Sequence, residues 1–159
     1  MQDSVLVLHN IRSAHNVGSM FRTADGAGVS RIVLTGYSPG PQDPRGKGRV
    51  AFLKVSLGAE DMVPYSREPL LKDAIERLKK DGYTTVAVEL GDHAQNIFEY
   101  KKTTDKKIAV VLGNEVDGLL PDDLALCDAV LEIPMRGKKE SLNVSVACGI
   151  ALFTLLRGR

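Results

Sequence analysis

The chain has 159 residues, 43% of them hydrophobic, with a formal net charge of +1; this length suits one domain and the apolar content suffices for a core. No apolar run reaches membrane-spanning length, and the start Met-Gln-Asp-Ser has an acid and no basic region, unlike a secretory leader. Two cysteines and three histidines, scattered, give neither a disulfide framework nor a zinc-site spacing, so Cys127 and Cys148, both in apolar surroundings, are expected as buried thiols in a reducing cytoplasm.

The first strand-like run covers residues 5–8. Val17, Met20, Phe21, Ala24 and Ala27 then follow the i, i+3, i+4, i+7 spacing of an amphipathic helix. A second strand is expected over 31–35. The stretch from Gly36 to Arg49 holds three prolines and four glycines and is expected as an irregular loop. It is longer than most connections in compact domains. A weaker strand candidate covers 62–65. Leu70, Leu71, Ala74, Ile75 and Leu78 mark a helix, with Pro69 in its first turn and Gly82 just past its end. Further strands are expected over 84–89, 107–112 and 129–133. The last helix, about 144–156, is apolar almost all round. Val144, Ala147, Cys148, Ala151, Leu152 and Leu155 form one stripe, and Val146, Ile150 and Phe153 another. A helix of that kind must be covered on both sides, and in so small a domain this implies a subunit interface. Strands apolar on both faces, alternating with helices, predict an α/β fold with a mainly parallel sheet covered by helices. With no internal repeat or low-complexity linker, residues 1–159 are expected to form one domain.

Three strand ends lead into glycine-bearing polar segments. Residues 5–8 run into His9-Asn-Ile-Arg-Ser-Ala-His-Asn-Val-Gly-Ser-Met-Phe-Arg22. Residues 108–112 run into Gly113-Asn-Glu-Val-Asp-Gly118, and residues 129–133 run through a Pro/Gly turn to Ser141, Leu142 and Asn143. In α/β proteins ligands sit at such junctions. Glycines let backbone approach a ligand closely, although Ser141 and Asn143 also suit a simple helix cap. Asn16-x-Gly18-x-x-x-Arg22, then Leu112-Gly-Asn-Glu-Val-Asp-Gly-Leu119, then Ile133-Pro-Met-x-Gly137 with Ser141-Leu-Asn-Val-Ser145 resemble, in order, the three motifs of the SPOUT methyltransferases in their SpoU/TrmH branch. The resemblance spans residues 4 to 156.

The resemblance implies a homodimer with a C-terminal trefoil knot, a feature ordinary topology rules would not predict. It implies S-adenosylmethionine as cofactor and methyl transfer to a ribose 2′-hydroxyl of tRNA or rRNA. It implies cofactor contacts from Glu89, Gly91, Leu112, Gly113, Glu115, Gly118, Ile133, Met135, Ser141 and Leu142. Leu112 and Ile133 equally suit the core, and Gly118 equally suits a closed turn. Arg22 is the expected catalytic group, with Asn16, Ser141 and Asn143 aligning ribose, phosphate and guanidinium. Gly18, four residues before Arg22, is expected to leave space above it; an ion pair of Arg22 with Asp25 is the structural alternative. A guanidinium is a reluctant base, so two roles are open. Arg22 either stabilises the developing alkoxide and grips the adjacent phosphate, or acts as base with a depressed pKa.

Arg45, Lys47 and Arg49 in the long loop suit RNA phosphates. Lys101, Lys102, Lys106 and Lys107 form a second cationic cluster, and Arg136, Lys138 and Lys139 a third; all three also suit solvated loops. Methylation of a base nitrogen and a non-catalytic RNA- or nucleotide-binding module are the alternatives. A Rossmann dinucleotide site is disfavoured, since no Gly-x-Gly-x-x-Gly follows the first strand. No metal and no membrane partner are expected. With no separate RNA-recognition domain expected, substrate choice would fall to this domain and its dimer surface.

Overall fold

The computed structural model describes residues 3–101 and 107–156, so Lys102 and Lys106 of the second cationic cluster lie outside the described residues. The described strands are β1 (Ser4–His9), β2 (Arg31–Thr35), β3 (Tyr65–Glu68), β4 (Tyr83–Val88), β5 (Gln95–Asn96), β6 (Lys107–Leu112) and β7 (Ala129–Glu132). They form one sheet in the order β3-β2-β1-β6-β4-β7-β5, and every pairing is parallel. The helices are α1 (Ala14–Ala27), α2 (Val50–Ser56), α3 (Ala59–Met62), α4 (Leu71–Lys80), α5 (Pro121–Ala125) and α6 (Val144–Leu155).

Period-two alternation divides the strand residues between two faces. Leu6, Leu8, Val110 and Leu112 join one apolar cluster with Val17 and Phe21 of α1 and Cys148 and Leu152 of α6. Val5, Val7, Ala109 and Val111 join the other, with Leu71, Ile75 and Leu78 of α4. A sheet covered on both sides explains why β1 and β6 read as unbroken apolar runs. Phe21 packs edge-on to Phe52 of α2, with ring centroids 5.1 Å apart. Burying one such ring contributes about 1.5–3 kcal/mol.

α1 begins where the Ser13 hydroxyl accepts the Asn16 N–H, and ends at Gly28 with φ 72°. Gly18 serves this helix differently from expectation. A Cβ there would stand 2.5 Å from the Phe52 carbonyl oxygen and 2.9 Å from Val55 Cγ2. The missing side chain is the seat of α2, and leaves no opening above Arg22.

Other differences are local. α4 starts at Leu71, so Pro69 precedes the helix instead of sitting in its first turn. The weak strand expected over 62–65 is displaced to β3. Met62 ends α3, and Val63 is buried just after it. β3 and β5 are edge strands of mostly exposed, mostly polar residues and carry no apolar period. α2 escapes the pattern because Val50 and Leu57 at its ends are exposed while Phe52 and Ser56 are buried.

Because the strands are parallel, the segments that follow β1, β2, β4, β6 and β7 all leave from one edge of the sheet. Lys107 opens β6 at the opposite edge, beside Asp3 at 3.8 Å. Among the described residues no helix is long and apolar enough to cross a membrane.

Candidate active site

A cleft of about 270 Å³ opens where β4, β6 and β7 end. Val88, Leu112 and Ile133 stand at its floor, and Met135 and Leu142 add apolar surface. Leu112 is also part of the core, so its two readings coexist. The charged groups lining the cleft are all carboxylates, those of Glu89, Glu115, Asp117 and Glu140. Such a lining favours a ligand with apolar parts and cationic centres.

The segment 113–118 is shaped by its own glycines. A Cβ on Gly113 would lie 2.7 Å from the Gly118 carbonyl carbon and oxygen. Gly118 has φ 66°, and a Cβ there would meet a Glu89 carboxylate oxygen at 2.3 Å. Both glycines let the loop fold on itself, and Glu89 braces it. Its carboxylate accepts the Leu119 N–H at 2.9 Å and the Leu90 N–H at 3.0 Å.

Glu115 reaches out of this loop to the start of α1. It accepts the Arg12 N–H at 2.9 Å, the Ser13 N–H at 3.0 Å and the Asn16 side-chain amide at 3.1 Å. Burial alone would push its carboxyl up. The donated hydrogen bonds outweigh that and hold it below its ordinary value. The Asn143 amide in turn donates to Asn16 Oδ1 at 3.4 Å. Asn143 is also the N-cap of α6, accepting the Ser145 N–H at 2.9 Å. Glu115, Asn16 and Asn143 thus link the three sequence motifs in one chain of polar contacts.

Of the residues singled out from sequence, Glu89, Leu112, Gly113, Glu115, Gly118, Ile133, Met135, Ser141 and Leu142 share the cleft. Gly91 is exposed and lies beyond the lining residues. Asn16 and Asn143 stand beside the cleft, behind Glu115. Arg22 is exposed on α1 outside the lining, and among the described residues it forms no ion pair with Asp25. Arg49 lines a neighbouring recess, while Arg45 and Lys47 are exposed in the same loop. Cys148 is buried as expected, and Cys127 is half-buried, its thiol pushed up to about 11 chiefly by burial.

Asn114 was absent from the expected site. It is 8% exposed, and its side chain holds four groups together while its backbone holds a fifth. Its oxygen accepts the N–H groups of Val116 and Asp117 at 2.8 and 3.0 Å. Its amide donates to the Asn10 carbonyl at 3.0 Å and to the Tyr37 hydroxyl at 2.7 Å; its backbone carbonyl accepts the Gly118 N–H at 3.0 Å. The only signal in the sequence was its place between Gly113 and Glu115. Asp117 was likewise legible only as a member of its motif, and Glu140, between the two halves of the third motif, carried no signal of its own.

This arrangement matches a family. Residues 3–153 match the SpoU rRNA Methylase family, and the chain belongs to it. It is 35% identical over 158 residues to the 23S rRNA (guanosine-2′-O-)-methyltransferase RlmB of Vibrio cholerae, covering 99% of this chain and 60% of that protein. The corresponding enzyme of Escherichia coli K12 is 32% identical over 158 residues, covering 99% and 61% respectively. The chain therefore spans about three fifths of the length of these curated relatives. Among solved structures, an AdoMet-bound rRNA methyltransferase from Sinorhizobium meliloti superposes with TM-score 0.85 at 30% identity, over 98% of this chain and 56% of that one. The A. aeolicus TrmH/SpoU tRNA modifying enzyme gives 0.84 at 27% identity, over 99% and 75%.

Proposed function

We propose that this chain is the catalytic domain of an S-adenosylmethionine-dependent RNA 2′-O-ribose methyltransferase acting on 23S rRNA in the cytoplasm. The observation that carries the reading is the Glu115–Asn16–Asn143 chain of contacts beside a carboxylate-rimmed cleft. The names of the RlmB relatives and the AdoMet in the S. meliloti structure support it. The trefoil knot is part of the same proposal and rests on the resemblance of the three motifs.

The cleft's groups fit this cofactor. Leu112, Ile133, Met135 and Leu142 would grip the adenine, and the carboxylates complement its sulfonium and ammonium charges. Bound S-adenosylmethionine would supply an electrophilic methyl group. Glu89 and Glu115 brace the 113–118 loop and the start of α1, which would lessen the reorganisation that binding demands. Arg22 would stabilise the alkoxide that forms at the ribose and hold the adjacent phosphate.

We further propose a homodimer packed through α6. Val146 and Phe153 are half exposed among the described residues, an apolar stripe open to solvent. Gly26 of α1 lies near Phe153, since a Cβ there would stand 4.0 Å from the ring, and Arg22, one turn earlier on the same face, would lie beside that interface. The test is to incubate the protein with labelled S-adenosylmethionine and 23S rRNA, then digest the RNA to nucleosides. A 2′-O-methylated nucleoside is expected. Label in a base, or no label in RNA from a protein that binds the cofactor, would refute the reading.

A further inference from the structure

A second recess, also of about 270 Å³, opens on the same edge of the sheet, where the loop after β2 folds back on itself. One wall is Tyr37. Its hydroxyl accepts the Asn114 amide at 2.7 Å and its N–H donates to Asn10 Oδ1 at 3.3 Å. The next residue is clamped as well. The buried Ser38 hydroxyl donates to the Leu8 carbonyl at 2.8 Å and accepts the Ile11 N–H at 2.9 Å. Despite these tethers Tyr37 is 59% exposed. An aromatic ring held at its hydroxyl and open to solvent is a rigid platform, with little left to lose on ordering.

The other wall is cationic. Arg49 donates through Nε to the Gln42 carbonyl at 3.2 Å, and Arg67 through Nη2 to the Ser38 carbonyl at 2.8 Å. Each is aimed by one backbone contact, and each keeps further N–H donors. Among the described residues neither is paired with a carboxylate. The one acid lining the recess, Asp43, is otherwise engaged. Its Oδ1 accepts the Arg45 and Lys47 N–H groups, both at 2.9 Å. Asn114 lines the methyl-transfer cleft and donates to the Tyr37 hydroxyl, so one hydrogen bond joins the linings of the two concavities.

We propose that this recess is a subsite for a single-stranded nucleotide neighbouring the target ribose, with the base on Tyr37 and the phosphate on Arg49 and Arg67. The inference rests on the methyltransferase reading of the adjoining cleft. A stacking face opposite planar cations suits an unpaired RNA nucleotide, whose base is free to leave its neighbours. Duplex RNA offers no base face to such a ring. Tyr37 and Arg67 are therefore substrate-contacting residues in addition to the cationic loop.

The test measures binding of the intact protein to a fluorescein-labelled oligouridylate and to an abasic ribose-phosphate chain of the same length. Wild type should bind the oligouridylate more tightly. Tyr37→Ala should weaken that binding by roughly five- to a hundredfold, the usual loss for one stacked base, and bring both probes to similar affinity. Tyr37→Phe keeps the stacking face and loses only the tether to Asn114, so it should weaken binding far less than Tyr37→Ala and still prefer the oligouridylate. Arg49→Gln and Arg67→Gln should each reduce the salt dependence by about 0.7 in logarithmic slope, the share of one phosphate on a single strand. Equal wild-type affinity for both probes would overturn the subsite even if Tyr37→Ala did not fold. So would a loss in Tyr37→Phe as large as in Tyr37→Ala. If the affinities behave as expected while wild type methylates no RNA, the methyltransferase reading falls and only the nucleotide contact at Tyr37 stands, without a target ribose beside it. If RNA is methylated while Tyr37→Ala binds both probes as wild type does, the subsite alone falls.

Discussion

Glu115→Gln removes one charge at the point where the first two motifs meet. In the wild type this carboxylate accepts three hydrogen bonds, at 2.9, 3.0 and 3.1 Å. A hydrogen bond to a charged group contributes about 1.5–3 kcal/mol. The glutamine oxygen can keep part of that set, but its NH2 group would face a backbone N–H, donor against donor. Arg12 is exposed, so water recovers part of the loss. The lost negative charge at the start of α1 adds about 0.3–1 kcal/mol. The net cost is expected at about 2 kcal/mol, or roughly 4–8 °C in melting temperature for a domain of this size. The pH dependence has a definite sign. The folded carboxyl lies below its ordinary value of 4.5, so its stabilisation is complete above that value and is lost as pH falls through the folded one. The difference in melting temperature between wild type and Glu115→Gln should therefore be constant near neutrality and shrink below about pH 4.5. Thermal denaturation from pH 4 to pH 8, with S-adenosylmethionine titrated into both proteins at pH 7, measures it. A variant as stable as wild type at pH 7, with unchanged cofactor affinity, would refute the role assigned to Glu115.

Arg22→Ala should leave cofactor affinity nearly intact and slow single-turnover methyl transfer by about two to three orders of magnitude, the cost of one donor to a developing oxyanion. Arg22→Lys should restore only part of the rate, since the planar fork is lost. Near-normal turnover in Arg22→Ala would refute a catalytic role for this residue. Gly113→Val should lower melting temperature and cofactor affinity together, because its Cβ meets the Gly118 carbonyl at 2.7 Å. Loss of affinity at unchanged stability would mean that ligand, not protein, fills that space. Phe153→Asp should convert the proposed dimer to monomers in light scattering, as the residue is 57% exposed within one chain and needs no burial there; a dimer that persists would place the interface elsewhere.

The sequence by itself determined the sheet and the position of the cleft. Unbroken apolar runs in β1 and β6 required a sheet covered on both faces, and the three motifs sat where strands end. Local rules also fixed α1, through the period of Val17, Met20, Phe21 and Ala24. Edge strands such as β3 escaped, since polar exposed residues carry no period. α2 escaped for a related reason, having apolar residues on its exposed side.

Contacts between distant segments were decided only by tertiary structure. Gly18 read as open space beside Arg22, yet its neighbour is the Phe52 carbonyl of α2, 34 positions away. Asn114 read as one more motif residue, yet it joins Asn10 and Tyr37 across more than 70 positions. The cationic clusters looked equivalent along the chain. Parallel strand order puts the 36–49 loop and the Arg136 turn at the cleft edge, and Lys107 at the opposite one. A sequence pattern reports which face of its own element a residue occupies, because that follows from the period of a helix or strand. It carries no term for the partner that packs there, which is set by strand order and by the volume that neighbouring elements leave unfilled.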